Sequence, residues 1–260
     1  MRFHEKVIIV TGSTTGIGKA IAKSCVEEGA FVLLHGLEED LGNEVIDEIN
    51  AERSQVSLIV EDLADPAAPQ KIVDFAIHEF GQIHGIVNNA AWVKFTDIAE
   101  TDAALFDQII AVNTRAPLFL IKAALPHLEK TRGSVVNIGS VNAYSGEPNL
   151  LPYSISKGGL MSLTRNLGDT LHREHGVRVN QVNPGWILTE NEIQRKRDQG
   201  MPDDWYTQQP KLFVPAGRLF EPKEIAEAVL YFLSDECGPV SGSILDVEQH
   251  PMIGRNPPKC

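Results

Sequence analysis

Apolar runs rich in Val, Ile and Leu recur along this chain at 6–10, 30–35, 56–60, 83–87, 134–138, 177–182 and 243–247. Between the first six lie segments of helical period at 17–28, 41–51, 66–80, 102–129 and 152–174. Strands that read as near-continuous apolar runs are buried on both faces, which is the parallel-sheet pattern. Strict alternation of strand and helix then builds β-α-β units with right-handed crossovers. The expected fold is α/β: a doubly wound, seven-stranded parallel sheet flanked by helices. No self-similar repeat exists beyond the alternation, and no linker composition marks a boundary, so 1–260 reads as a single domain. The rhythm breaks once, over 189–219, a polar stretch with Gly200, Pro202, Pro210, Pro215 and Gly217. Insertions of this kind are lids or disordered segments; Trp205, Tyr206 and Phe213 favour a lid.

Composition narrows the class. Hydrophobic residues make up 43% and charged residues 22% of the 260, ordinary values for a soluble globular protein. A net charge of −12 excludes a nucleic-acid partner, which needs a clustered cationic surface. The one basic cluster, Arg195-Lys196-Arg197, is flanked by Glu192 and Asp198 and reads as a solvated helix face. Cys25, Cys237 and Cys260 are odd in number, without paired spacing or a nearby His cluster, which argues against disulfides and against a metal site. Cys25 falls in a helical segment and reads as a small packed residue. The first six residues are too polar and too few for a signal peptide, and no apolar run approaches membrane-spanning length. The expectation is a cytoplasmic protein with no membrane partner.

Two short motifs carry the chemistry. Directly after the first strand comes Thr11-Gly12-Ser13-Thr14-Thr15-Gly16-Ile17-Gly18. Its Gly-x-x-x-Gly-x-Gly spacing differs from the G-x-G-x-x-G fingerprint, but the physical demands are similar. Glycine permits the tight turn, lets a pyrophosphate approach the backbone and seats the helix close to the strand, while the helix N-terminus offers N–H groups to the anion. An ordinary strand–helix turn would need only one or two glycines. The loop therefore points to a Rossmann-like nucleotide-binding fold. The second motif, Tyr153-Ser154-Ile155-Ser156-Lys157, places a phenol and an ammonium on one helix face. A free tyrosine, with a pKa of about 10, is a poor base. A lysine one turn away favours the phenolate and lets the pair exchange a proton with a hydroxyl or carbonyl. Alone, such a pair is weak evidence, because amphipathic helices carry many.

Together these residues resemble the short-chain dehydrogenase/reductase superfamily in its compact single-domain branch, over nearly the whole length from 6 to about 247. The loop 11–18 resembles the family's cofactor loop and Tyr153-x-x-x-Lys157 its catalytic pair. Ser140 resembles the catalytic serine, and Asn113 the asparagine that completes the tetrad. Asn88-Asn89-Ala90-Ala91 resembles an Asn-Asn-Ala-Gly stretch, with Ala91 replacing glycine. Asn183-Pro184-Gly185 resembles the Pro-Gly turn after the sixth strand, and Thr189 a contact near the nicotinamide.

The resemblance implies that Tyr153 is the general acid/base and that Lys157 lowers its pKa and holds the nicotinamide ribose. Ser140 would hydrogen-bond the substrate oxygen. Asn113 would support a water-linked proton path through Lys157; its alternative is a helix-packing amide. The implied cofactor contacts are Gly12, Ser13, Thr14, Thr15, Gly16, Ile17, Gly18, Gly36, Leu37, Asp62, Leu63, Asn89, Ala90, Tyr153, Lys157, Pro184, Gly185, Ile187 and Thr189. Asp62 could instead cap the following segment.

At the end of the second strand an acid would bind the 2′-hydroxyl of NAD, and an Arg the 2′-phosphate of NADP. Here Gly36 stands at the discriminating position, followed by Leu37, Glu38 and Glu39, and Thr15 stands where NADP users often carry a base. The absence of cations favours NAD over NADP. The substrate pocket is expected near Ser140 and Tyr153 under the lid, with Asn142 and Trp186 as substrate residues and Trp92, Glu147, Glu190 and Asn191 as further candidates. Polar lining suits a sugar, polyol or hydroxy acid. The rivals are a 3-oxoacyl-thioester (acyl-carrier-protein) reductase and a non-catalytic nucleotide sensor. Asp246-Val247-Glu248 departs from the usual Asp-Gly-Gly. The tail 248–260 is expected either to pack across a homotetramer interface, as is common in the family, or to fray.

Overall fold

The computed structural model describes residues 1–49 and 55–250. Cys260, most of the expected interface tail and the end of the helical segment 41–51 lie outside the described residues. The strands are β1 (Val7–Val10), β2 (Phe31–Gly36), β3 (Val56–Val60), β4 (Gly85–Asn88), β5 (Ser134–Ile138), β6 (Arg178–Pro184) and β7 (Ile244–Val247). They form one seven-stranded sheet in the order β3-β2-β1-β4-β5-β6-β7, with every adjacent pair parallel. The winding reverses between β1 and β4, and the crevice beyond their carboxyl ends is where α/β sheets take ligands.

The helices are α1 (Gly16–Glu27), α2 (Glu39–Ile49), α3 (Ala68–Phe80), α4 (Ala103–Ile110), α5 (Ala116–Thr131), α6 (Leu151–His175), α7 (Glu190–Asp198) and α8 (Pro222–Leu233). Strand alternation feeds two separate cores. Ile8 and Val10 pack with Ile21, Val229 and Leu230 of α1 and α8, while Ile9 packs with Ile72, Leu120 and Leu171 of α3, α5 and α6. All four residues of β1 are buried, as its unbroken apolar run requires. Burying each such side chain contributes about 1.5–3 kcal/mol. Cys25 is buried in the α1 core, where burial pushes its thiol pKa up, so it packs as a small apolar group.

One expectation is corrected, that no apolar run approaches membrane-spanning length. The segment 103–131 is one continuous helix, in which α4 and α5 are joined by a π-helical turn, Ala111–Arg115. By length and a mean hydropathy of 1.3 it qualifies as a possible membrane span, and half of that window is buried within the fold. The tail also begins as part of the chain's own packing. Gln249 accepts from Ala216 N at 2.8 Å and donates to Arg218 O at 2.7 Å, fastening the exit of the 189–219 segment.

One buried cation joins the sheet to α8. Arg178, at the start of β6, donates to Phe232 O at 2.8 Å, Leu233 O at 3.4 Å and Ser234 O at 2.9 Å. These carbonyls end a helix, where positive charge is favoured and intrahelical partners run out. Replacing Arg178 with Met is expected to cost about 2–4 kcal/mol, because the carbonyls stay buried without donors. Urea unfolding of the two proteins measures it.

Candidate active site

The loop 11–18 leaves β1 at the crevice and is fastened from three sides. Asn89 Nδ2 donates to Thr11 O and Gly12 O, both at 2.9 Å, while Asn89 N and Ala90 N both donate to Thr11 Oγ1 at 3.0 Å. Ser13 and His35 exchange backbone and hydroxyl bonds with the end of β2. Gly12 adopts a φ of 60°, and a side chain there would meet Ala90 Cα at 2.8 Å. At Gly18 a side chain would strike Gly12 O and Asn89 Nδ2. The glycine spacing is thus a packing requirement, and it brings the start of α1 close to the loop. Thr15 precedes α1 without a side-chain capping bond, so the helix N-terminus keeps its donors for an anion. These features fit a dinucleotide pyrophosphate.

At the adenosine end, Gly36 cannot be exchanged for an acid without moving Thr14, whose Cγ2 lies 2.5 Å from where a Cβ would sit. Leu37 is 67% exposed beside it. Asp62 accepts from Ala64 N at 2.8 Å, the bonding of a turn cap, and Leu63 is buried. Pro184 ends β6, and Gly185 N donates to Val247 O at 2.9 Å. The Glu248 carboxylate occupies the place a side chain on Gly185 would take, so the acid that replaces glycine after β7 is matched by the glycine facing it. Ile187 is buried and bridges to Phe220; Thr189 caps α7 by accepting from Glu192 N at 3.1 Å, and it packs against Gly16.

The sheet and α6 bring Ser140, Tyr153 and Lys157 together. Ser140 follows β5 and accepts from Asn142 N at 3.1 Å. Tyr153 lies in the first turn of α6, and the Lys157 Nζ sits 5.6 Å from its ring centroid. That ammonium, 2% exposed, donates to Ile138 O at 2.7 Å. The expected lowering of the Tyr153 pKa by Lys157 is not found. Burial pushes the phenol up, a hydrogen bond from Ser140 opposes that, and the Glu147 carboxylate adds to it. Burial alone also lowers Lys157 to about 8.

Asn113 is buried in the π turn. Its Oδ1 accepts from Trp92 N at 2.7 Å, and its Nδ2 donates to Trp92 O and Ser156 Oγ at 3.0 Å each. Its amide has the bonding of the packing alternative: it clasps the β4–α4 loop and ties the π turn to α6.

The segment 189–219, whose Asn191 reaches Thr15 and whose Arg195 lies over Phe95, comprises α7 and a 3-10 turn at Trp205–Gln208. It carries its own small core of Trp205, Val214 and Leu219, with Trp186 stacked on Trp205 at 5.4 Å, while Phe213 is exposed. The basic cluster lies on a helix that buries no residue, and its cations are paired locally. Arg195 Nε donates to Glu192 at 2.8 Å and its guanidinium lies 4.6 Å over the Phe95 ring; Lys196 lies 5.5 Å from Trp186 and 5.3 Å from Trp205; Arg197 pairs with Asp203 at 3.0 Å. Trp186 Nε1 donates to Glu192 at 3.0 Å. Glu190 is exposed, and Asn191 turns to Thr15 at 3.3 Å, toward the loop rather than toward Tyr153.

The Glu192-x-x-Arg195 spacing was visible in the sequence, but its contact to Phe95 joins elements nearly a hundred residues apart and was not. The same holds for Tyr144, whose hydroxyl donates to Asp246 at 3.0 Å.

A family profile described as enoyl-(acyl carrier protein) reductase matches residues 12–249. An uncharacterized oxidoreductase of Thermotoga maritima is 34% identical over 249 residues, covering 95% of this chain and 98% of the relative. 2-(S)-hydroxypropyl-CoM dehydrogenase 3 of Xanthobacter autotrophicus is 32% identical over 248 residues, covering 95% and 96%. The crystal structure of a short-chain dehydrogenase/reductase, glucose/ribitol dehydrogenase, from Brucella melitensis matches with a TM-score of 0.83 at 29% identity, covering 95% of this chain and 96% of that one. The chain belongs to the short-chain dehydrogenase/reductase superfamily, whose members use NAD(P), and it is an oxidoreductase acting on CH–OH groups.

The burial of Lys157 has a measurable consequence. Its pKa lies at about 8 in the folded chain against 10.5 free, so between those values the unfolded chain binds more protons. Stability attributable to this residue therefore rises with pH across that window. Relative to Lys157→Met, the native chain is expected to gain about 2–3 kcal/mol between about pH 7 and about pH 10. Paired urea titrations at the two pH values check it.

Proposed function

We propose that this protein is a single-domain, NAD-dependent dehydrogenase that interconverts a secondary alcohol and a ketone on a small polar substrate such as a sugar, polyol or hydroxy acid. The observation that carries the reading is the placement of Ser140, just past β5, with Tyr153 in the first turn of α6 and the buried Lys157 Nζ 5.6 Å from the Tyr153 ring.

The cofactor supplies the hydride acceptor or donor when bound. The chain's own residues do the rest. Tyr153 passes the proton to or from the substrate oxygen. Ser140 donates to that oxygen as charge develops. Lys157 holds the ribose and feeds the proton path, and Asn113 acts through packing, fixing the loop that carries Trp92. The loop 11–18 binds the pyrophosphate, with Asn89 and Ala90 bracing it.

NAD is favoured because the 36–39 stretch carries no cation and two carboxylates, and because Lys19 and Lys23 on α1 both turn to Glu48. A 2′-phosphate would lack compensation. Asn142, Glu147 and Trp186 support a hydroxyl-rich substrate. The 3-oxoacyl-thioester (acyl-carrier-protein) reductase shares this scaffold, and one of Thermotoga maritima is 27% identical over 252 residues; the net charge of −12 and the internally paired lid cations weigh against an acidic carrier.

We place the enzyme in the cytoplasm as a homo-oligomer, and propose a tetramer. Exposed apolar side chains support it: Leu118, Phe119 and Ile155 on α5 and α6, and Tyr231 and Leu245 on α8 and β7. Light scattering is expected to give four chains, and Phe119→Glu to reduce the assembly; a monomeric native chain rules the assembly out.

Turnover of NAD across sugars, polyols, hydroxy acids and 3-hydroxyacyl thioesters tests the reading. Tyr153→Phe is expected to lower kcat by about 10²–10⁴-fold while leaving NADH binding intact. Activity confined to thioesters with NADPH would transfer the assignment to the reductase.

A further inference from the structure

His35, the fifth residue of β2, is 2% exposed, and it belongs to neither the proton path nor the expected cofactor contacts. Its ring spans two elements. Gly12 N donates to Nδ1 at 3.2 Å, and Nε2 lies 2.9 Å from Glu61 O, just beyond β3. An amide N–H only donates and a carbonyl only accepts, so Nδ1 must be bare and Nε2 must carry the proton. The imidazole is therefore neutral in one tautomer. The backbone adds to the tie: His35 N donates to Ser13 Oγ at 3.0 Å, and Ser13 N to His35 O at 2.9 Å.

Resting on the reading of loop 11–18 as the cofactor loop, we infer that His35 is a positioning residue for that loop, and that protonating its Nδ1 releases Gly12 and weakens nucleotide binding. A proton on Nδ1 sets two donors against each other at the Gly12 contact, and the turn there, at a φ of 60°, is close enough to Ala90 that even a Cβ would not fit.

The groups acting on the ring are few. The loop side offers Gly12, Ser13 and Thr14, none of which titrates. Beyond β3, Glu61 and Asp62 favour the protonated form, and the Glu61 carboxylate is itself held by Lys71 of α3 at 2.9 Å. Burial outweighs them and holds the imidazole below its ordinary value. The neutral form then prevails at pH 7, and the switch operates below the free-imidazole value of about 6.5.

The variants separate the two bonds. Asn at this position offers an acceptor near Nδ1 and does not titrate. Gln offers a donor near Nε2 and abandons Gly12. The measurement is NADH affinity of the full chain by fluorescence from about pH 5.5 to about pH 8. Alongside it, the ¹⁵N-imidazole spectrum of the native chain reads the tautomer without any cofactor, with the His35 signal assigned by its loss in His35→Asn.

The expected results are an Nε2–H tautomer at about pH 8, a Kd that is flat above pH 7 and rises toward tenfold per pH unit in acid, a flat profile for His35→Asn, and a Kd about three- to tenfold higher for His35→Gln at all pH values. An Nδ1–H tautomer overturns the inference. So does a native Kd that is flat or falls in acid, the latter meaning that the imidazolium attracts the anionic cofactor. Native affinity in His35→Gln overturns it too. Absence of NADH and NADPH binding at about pH 8 despite the Nε2–H tautomer would instead overturn the loop's assignment, and this inference with it.

Discussion

A parallel sheet covered on both faces leaves its polar side chains no water, so those near the strand ends must satisfy one another. Here they form a single relay across half the sheet. Asn88 Nδ2 donates to Asn137 Oδ1, Asn137 Nδ2 to Thr164 Oγ1, and Thr164 Oγ1 to Gln181 Oε1, each at 2.8 Å. Gln181 Nε2 then donates to Asn183 Oδ1 at 2.7 Å, and Asn183 Nδ2 to Asp246 Oδ1 at 2.9 Å. Every amide in the relay donates in the same direction, so the aligned dipoles end on a carboxylate that can accept them. The relay crosses directly over Gly139, where a side chain would coincide with the Gln181 and Asn183 amides. Ser140 is therefore placed by a residue that cannot carry a side chain, over a network that cannot be left half satisfied.

The lid follows different physics. Its helix α7 buries no residue, so packing against the sheet cannot hold it. Instead its cations are used locally: Arg195 between Glu192 and the Phe95 ring, Lys196 beside two indoles, Arg197 on Asp203. Exposed contacts of this kind are individually weak. They hold the segment by local pairs rather than by burial. A core of three buried side chains, pinned by Gln249, anchors the far end.

The strands were legible because double burial writes itself as unbroken Val/Ile runs; 56–60 and 134–138 coincide with β3 and β5. The glycine loop was legible because each glycine answers a local steric demand. What escaped the sequence depends on contacts between distant elements. The continuity of the α4–α5 helix was legible in the segment 102–129, but the π turn inside it at Ala111–Arg115 was not. The bonding of Asn113 depends on the backbone of Trp92, and the role of His35 on Gly12 and Glu61. None of these pairings leaves a trace in spacing.

Electrostatics were the least legible of all. Tyr-x-x-x-Lys spacing suggests attraction between phenolate and ammonium, yet spacing says nothing of dielectric. Burial opposes charge on either partner, so it moves the phenol up and the ammonium down, to about 8. The two shifts are therefore one effect seen from both sides: a dry site that keeps its acid protonated. In the proposed reaction a neutral Tyr153 is the form that donates a proton in carbonyl reduction. The reverse of that reaction, alcohol oxidation, needs the phenolate, whose charge burial disfavours, while the Lys157 Nζ is engaged by Ile138 O. The same burial that excludes water thus sets the two directions of the reaction different electrostatic tasks.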